Sequence, residues 1–399
     1  MPEYLHPGVY VEEIASVAPR VAAVGTGTAG FVGPTERANA GGDDLTGLPV
    51  PVTSYHEFGR LFGGIGPIAA DGSRLFATAE SVRLFFDNGG GRCAIVSTGG
   101  FTDGDGIRAP RVSEFRQGIR ALRDAPDVAF FAVPDAALMP RAPAWARIAR
   151  YALDFARNEG RFALIDVHRG DRPAGGADDP IDGPDGLRAL IDGDVLGWGA
   201  AYWPWLVPAD GSAPLPPCGA IAGVYARTDA TRGVWKAPAN APLAGVARPT
   251  ADVTHEGQER LNAPDKAINA IRTFSGRGIL VWGARTLAGG EYRYVPVRRL
   301  MLMVERSLTE WLQFAGVEPN APPLWKSVEA GGSAFLFDLW RQGALAGSRA
   351  DGAFFIRCGL GTSMTQADLD AGRLIVEVGV APLKPAEFVI LRITRPTGS

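Results

Sequence analysis

Between residues 21 and 240, short apolar runs alternate with segments whose apolar positions recur every three or four residues. Residues 93–97, 128–133, 161–167 and 200–207 are dense apolar stretches punctuated by Gly, Pro or Asp, which predicts strands. Residues 73–88 put Leu75, Ala79, Val82 and Phe86 on one helical face, with Gly89 as the stop. Ser113 is placed to cap a second helix, with Phe115, Ile119 and Leu122 inward. The clearest helix is 143–158, through Trp145, Ile148, Ala149, Ala152, Phe155 and Ala156; shorter ones are predicted at 187–191 and 219–227. This alternation predicts an α/β layered domain. Beyond residue 250 the pattern is mixed. It gives a strand at 278–282, a long amphipathic helix at 297–315 introduced by Pro296, and a helix at 334–345. Thr365 and Asp368 stand close to a capping-box relation before a short helix ending at Gly372. Two strand runs, 374–380 and 388–394, close the chain.

Residues 39–47 and 168–186 are rich in Gly, Pro and Asp and read as surface loops, and 238–249 reads as a linker. At the N-terminus, His6-Pro7-Gly8 forms a turn before a strand-like run of Val9, Tyr10, Val11, Glu12, Glu13 and Ile14. Six residues cannot form a sheet alone, so this strand must pair with something else. The expected division is an arm at 1–20, an α/β domain at 21–244, an α+β domain at 245–380 and a second arm at 381–399.

The 399 residues suffice for two or three cores. The net charge of −3 argues against an obligate nucleic-acid binder. Residues 245–399 hold 18 basic and 15 acidic side chains, and residues 1–244 hold 22 and 28, so the C-terminal part is the basic one. Only Lys236, Lys266, Lys326 and Lys384 among the 40 basic residues are lysines. Cys93, Cys218 and Cys358 lie too far apart for a disulfide framework or a zinc motif, and fit a reducing compartment. The first residues lack a signal-peptide pattern, and no apolar run is long enough to span a membrane.

Little catalytic chemistry is visible. Gly25, Gly27 and Gly30 match the dinucleotide fingerprint after an apolar run. That motif needs a helix opening at its last glycine, whereas Phe31-Val32-Gly33-Pro34 reads as a strand and turn. A nucleotide-dependent α/β enzyme using this loop, with Asp166 and His168 at a strand end, is the alternative functional reading. His255-Glu256 lacks the second histidine of a zinc-protease helix, and neither a P-loop nor a nucleophile elbow occurs. Tyr202, Trp203 and Trp205 read as a core strand or a binding platform. No cofactor or metal is expected.

The most specific stretch is residues 266–287, KAINAIRTFSGRGILVWGARTL, with Asn269, Arg272, Gly276, Gly278, Trp282, Gly283 and Arg285 in order. It resembles a segment of contractile tail sheath proteins. Further blocks do the same, in order along the chain. They are HPGVYVEE from His6, FVGP from Phe31, GVYARTD from Gly223, GVWKAPAN from Gly233, DAGRL from Asp370, VGVAP from Val378 and PAEFV from Pro385. The chain is similar in length to the compact sheaths of phage-tail-like particles, extracellular contractile injection systems among them.

The resemblance implies a multi-domain tail-sheath fold, α/β and α+β, with an outer domain, an inner domain facing a tube, and β arms at both ends. It implies hexameric rings stacked helically around an inner tube, bounded by baseplate and cap proteins. It implies neither nucleic-acid binding nor membrane insertion, assembly in the bacterial cytoplasm, and work within a phage tail or a released particle. Strand exchange between copies is expected for Val9 to Ile14 and for Phe388, Val389, Ile390, Leu391, Arg392 and Ile393. Arg341, Arg349, Arg357 and Arg373 are the candidates for facing the tube.

Overall fold

The structure is a computed structural model that describes residues 19–104, 106–176, 178–383 and 389–396, the last stretch as backbone. It comprises two compact units, residues 24–304 and residues 305–399 with 1–23. Val9 to Ile14 and Phe388 lie outside the described residues.

The larger unit is built on a nine-stranded sheet. Its strands are β1 (Ala29–Gly33), β4 (Pro49–Val52), β5 (Cys93–Ser97), β8 (Phe130–Ala132), β9 (Phe162–Asp166), β10 (Gly199–Trp203), β12 (Ala241–Pro242), β14 (Ile268–Phe274) and β15 (Gly278–Val281). The order is β12-β15-β14-β10-β9-β8-β1-β5-β4. From β5 to β14 every pairing is parallel, and β4, β15 and β12 add antiparallel strands at the two edges. Two-stranded pieces decorate the loops: β2 (Asn39–Ala40) with β3 (Asp43–Asp44), β6 (Thr102–Asp103) with β7 (Gly106–Ile107), and β11 (Leu206–Pro208) with β13 (Val246–Pro249).

Helices cover both faces, which is why β1, β5, β8, β9 and β10 are buried throughout rather than alternating. On one face lie α3 (Val112–Ala121), α4 (Ala142–Asn158), α5 (Leu187–Leu190) and α7 (His255–Leu261), which bury Phe115, Trp145, Leu187 and Leu261. On the other lie α1 (Tyr55–Phe62), α2 (Thr78–Asp87) and α6 (Cys218–Arg232), burying Phe58, Phe85 and Tyr225. Helix α8 (Val295–Trp311) adds Val295 and Leu302 to this second face, and the division between the units falls inside it.

The smaller unit carries α9 (Pro322–Arg341), α10 (Gln366–Asp370) and a sheet of β16 (Phe354–Arg357), β17 (Arg373–Val380) and β18 (Val389–Pro396), in that order and antiparallel. No helix among the described residues is long and apolar enough to cross a membrane.

Several expectations shift. Helix α2 starts at Thr78, because residues 68–74 close a small bridge, Ile68 with Arg74, ahead of it. Arg111, not Ser113, is the N-cap of α3, and Glu114 reaches back to accept its backbone N–H at 2.9 Å. The expected strand 200–207 divides at Pro204 into β10 and β11. The expected linker 238–249 instead supplies β12 and β13, whose backbone groups pair with β15 and β11. The helix expected at 334–345 is α9, which begins at Pro322.

Candidate assembly surface

Asp166 and His168, which suggested catalysis, each hold a hydrogen bond within the architecture. The order of the parallel strands reverses between β1 and β8, the place where sheets of this type leave a ligand crevice beyond their carboxyl ends. Here that space is filled. Buried Asp135, after β8, accepts from the Ala77 N–H at 2.8 Å and from Thr78 Oγ1 at 2.5 Å. A Cβ at Gly33 would overlap both Thr78 Oγ1 and Asp135 Oδ2, so only glycine fits at the end of β1.

Asp166, at the end of β9, accepts from the Cys218 N–H at 3.0 Å. Ala77 and Pro217 are the N-caps of α2 and α6, and neither provides a side-chain cap. Two carboxylates distant in sequence therefore supply the acceptors that these helix starts need. Burial pushes Asp135 up to about 6 and Asp166 up to about 7, against the lowering effect of those same hydrogen bonds. His168 stacks on Trp145 with ring centroids 5.8 Å apart, and its Nε2 donates to the Met139 carbonyl at 2.8 Å. Burial lowers its pKa.

The glycine fingerprint runs into β1 rather than a helix. A Cβ at Gly30 would press on Leu122, Val128 and Phe131, so this glycine serves helix–sheet packing. Tyr202, Trp203 and Trp205 are buried, and the Tyr202 and Tyr225 hydroxyls share a hydrogen bond of 2.8 Å.

The segment that carried the resemblance is the β14–β15 hairpin and its return. Gly276 and Gly278 have φ of +72° and +76°, which the tight turn requires. Phe274 and Trp282 pack with ring centroids 4.5 Å apart, and the guanidiniums of Arg272 and Arg277 lie over the Phe274 ring at 5.3 and 5.9 Å. Buried Asn269 donates to the carbonyls of Ala201 (3.1 Å) and Arg285 (2.7 Å) and accepts from the Arg285 N–H at 2.7 Å. A side chain at Gly283 would collide with it. These residues fasten the antiparallel edge to the parallel strands.

Nearby, Arg299 and Asp229 form a buried bidentate pair at 2.6 and 2.9 Å. Arg299 also donates to the Thr26 carbonyl at 2.9 Å, and its guanidinium lies 4.9 Å from the Phe130 ring and 4.7 Å from that of Tyr225. No group of His, Cys, Asp and Glu among the described residues has metal-site geometry.

In the smaller unit, a glycine pair in α9 allows close approach: Gly331 lies beneath Trp311, and Gly332 beneath Ile356 of β16. The Trp311 indole N–H donates to the Pro19 carbonyl, and Arg20 pairs with Asp338 at 2.8 Å. The N-terminal chain therefore sets out from α8 and α9. Among the described residues strand β17 is central in this unit's sheet, with β16 and β18 on either side of it. Phe355, on β16, covers its cross-strand partner Gly379. Val317, Phe337, Leu360 and Leu383 are exposed large apolar residues of this unit.

All four candidate arginines are exposed. Arg341 ends α9. Arg349 pairs with Asp351 at 2.9 Å, and Arg373 with Asp368 at 2.7 Å. The Arg357 guanidinium lies 4.8 Å from the Phe355 ring. Asp368 and Thr365 complete a full capping box on α10, and the hydrogen bonds from Thr365, ahead of that from Arg373, bring Asp368 down to about 2.

Residues 196–287 match the family model of the phage tail sheath protein central domain, and residues 289–394 that of the phage tail sheath C-terminal domain. Over 98% of this chain and 99% of the other, the fold is similar to the helical sheath of the anti-feeding prophage in its contracted state, at 35% identity and a TM-score of 0.74. The baseplate structure of that particle matches at 34% identity and 0.73, over 98% and 99%. The sheath complex of an extracellular contractile injection system, PVC, also in the contracted state, matches at 32% and 0.71 over 99% of each chain. A prophage major tail sheath protein of Pseudomonas aeruginosa is 27% identical over 160 residues, and this match spans 39% of either chain.

The chain therefore belongs to the phage tail sheath family. It is a contractile sheath subunit of the phage-like injection-system kind, a structural protein and not an enzyme.

Proposed function

We propose that the protein polymerises as a helical lattice of stacked hexameric rings around an inner tube, and that the lattice contracts to drive the tube through a target envelope. The observation that carries this reading is the end-to-end likeness to a contracted helical sheath at 35% identity. The partners are other copies of this chain, the tube, a baseplate and a terminal cap. The likeness to chains in both a helical sheath and a baseplate supports the first and third. The particle is assembled in the bacterial cytoplasm and acts as part of a phage-tail-like device.

Residues 21–244 are the outer domain, and residues 245–380 are the inner domain that faces the tube. Residues 245–399 are the more basic part of the chain, with 18 basic and 15 acidic side chains, which suits an acidic tube surface. Arg341 and Arg357, which have no ion pair within 4.0 Å among the described residues, are better placed for that contact than Arg349 and Arg373.

The terminal arms link the copies. Val9 to Ile14 of one copy add to a sheet of another by β-augmentation. The strand formed by Val389 to Pro396 pairs with β17 in the isolated chain over eight residues. In the lattice the same register forms with β17 of a neighbour, because backbone hydrogen bonds are indifferent to which copy supplies them. Each net bond contributes about 0.5–1.5 kcal/mol, so one arm is weak and a lattice of arms is not.

Removing residues 1–14 tests the arm. Electron microscopy should show no sheaths from the shortened chain, while circular dichroism shows folded monomers. Normal sheaths from it would refute the arm's role.

A further inference from the structure

On α3, Arg116 and Arg120 are one turn apart and exposed, and on α4 Arg147 and Tyr151 are one turn apart. The two helices pack side by side, and the Arg116 guanidinium lies over the Tyr151 ring at 4.6 Å, which draws these residues into one outward patch.

The neighbouring arginines are neutralised. Arg123 pairs with Glu159 at 2.7 Å, Arg150 with Asp192 at 2.9 Å and Arg157 with Asp194 at 2.6 Å. Among the described residues no carboxylate lies within 4.0 Å of Arg116, Arg120 or Arg147. The patch is therefore an uncompensated basic surface on the more acidic part of the chain, residues 1–244, which nets −6 with these arginines counted. Like charges at i,i+4 weaken a helix, and arginine with tyrosine is the composition of protein-binding anchors.

We propose that this face of α3 and α4 docks onto an acidic surface of a second copy of the chain. The rest of residues 1–244 is the complementary acidic partner, and a contact between two different surfaces propagates head to tail, as a helical lattice requires. The inference rests on the sheath reading.

The test compares the wild-type chain with two triple variants, Arg116→Glu/Arg120→Glu/Arg147→Glu and the same three positions changed to Gln. Sheath yield is measured by sedimentation and electron microscopy across a sodium chloride series, with thermal unfolding as the check on folding. The Glu variant should unfold within a few degrees of wild type and lose sheath yield at least tenfold. The Gln variant should assemble, but dissociate at lower salt than wild type. Equal yield and salt tolerance in the Gln variant overturns the proposal, and this outcome decides if the Glu variant is unfolded. Binding of wild-type monomer to phosphatidylglycerol vesicles, lost in both variants while their assembly is unchanged, also overturns it and assigns the patch to an anionic membrane. A wild-type chain that forms no sheaths overturns the sheath reading itself, whereas assembling variants overturn only the docking surface.

Discussion

Asp135 and Asp166 show how a side chain can look catalytic and be structural. Both sit beyond the carboxyl ends of parallel strands, and both cap a helix that has no cap of its own. Their placement makes stability depend on pH. Burial holds their folded-state values at about 6 and about 7, above the ordinary 3.8. Between pH 4 and 7 the folded chain keeps protons that the unfolded chain releases, so stability from these groups is greatest at the acidic end and falls as pH rises. The slope is at most about 1.4 kcal/mol per pH unit for each. Asp166→Asn should flatten the decline in urea-unfolding free energy between pH 5 and 7, and an unchanged slope would contradict the assignment. Arg299 and Asp229 form a separate buried network. Asp229→Ala leaves a buried guanidinium uncompensated and should cost about 3–5 kcal/mol by urea titration. A loss below about 1 kcal/mol would mean that water or another acceptor takes over.

At the scale of elements, the proposed strand exchange has a direct chemical probe. Glu377 of β17 and Arg392 of β18 are register partners. With cysteines at these two positions, oxidised monomers should close an internal disulfide, whereas oxidised sheaths should give covalent multimers in denaturing gels. Monomers alone from intact sheaths would show that β18 stays with its own chain. The elements themselves were unevenly legible in the sequence. Runs buried on both faces, such as residues 93–97 and 162–166, were plain, because a doubly covered strand is apolar at every position. The long stripe of α4 was equally plain. Helix α9 was half hidden, since Gly331 and Gly332 break its apolar period in order to let Trp311 and Ile356 approach. The tertiary caps left no local signal at all, because Asp135 and Asp166 act on residues 57 and 52 positions away. The proposed strand exchange rests on the family resemblance alone, since strand pairing is made by backbone groups that every sequence has.

At the scale of the whole molecule, the protein divides its work. The larger unit is a doubly wound sheet in which Asp135, beyond β8, ties the carboxyl end of the sheet to the start of α2. The smaller unit carries a three-stranded antiparallel sheet and exposed apolar residues, through which we propose that copies join. A sheath of such bodies can contract only by repacking their contacts, with the energy stored in the assembled lattice and released as new contacts form. Images of purified particles before and after triggering, in buffer free of nucleotide, test this most directly. The account predicts two lattices of the same subunit, one long and narrow and one short and wide. A single lattice under every triggering condition, or contraction that requires added ATP, would contradict it.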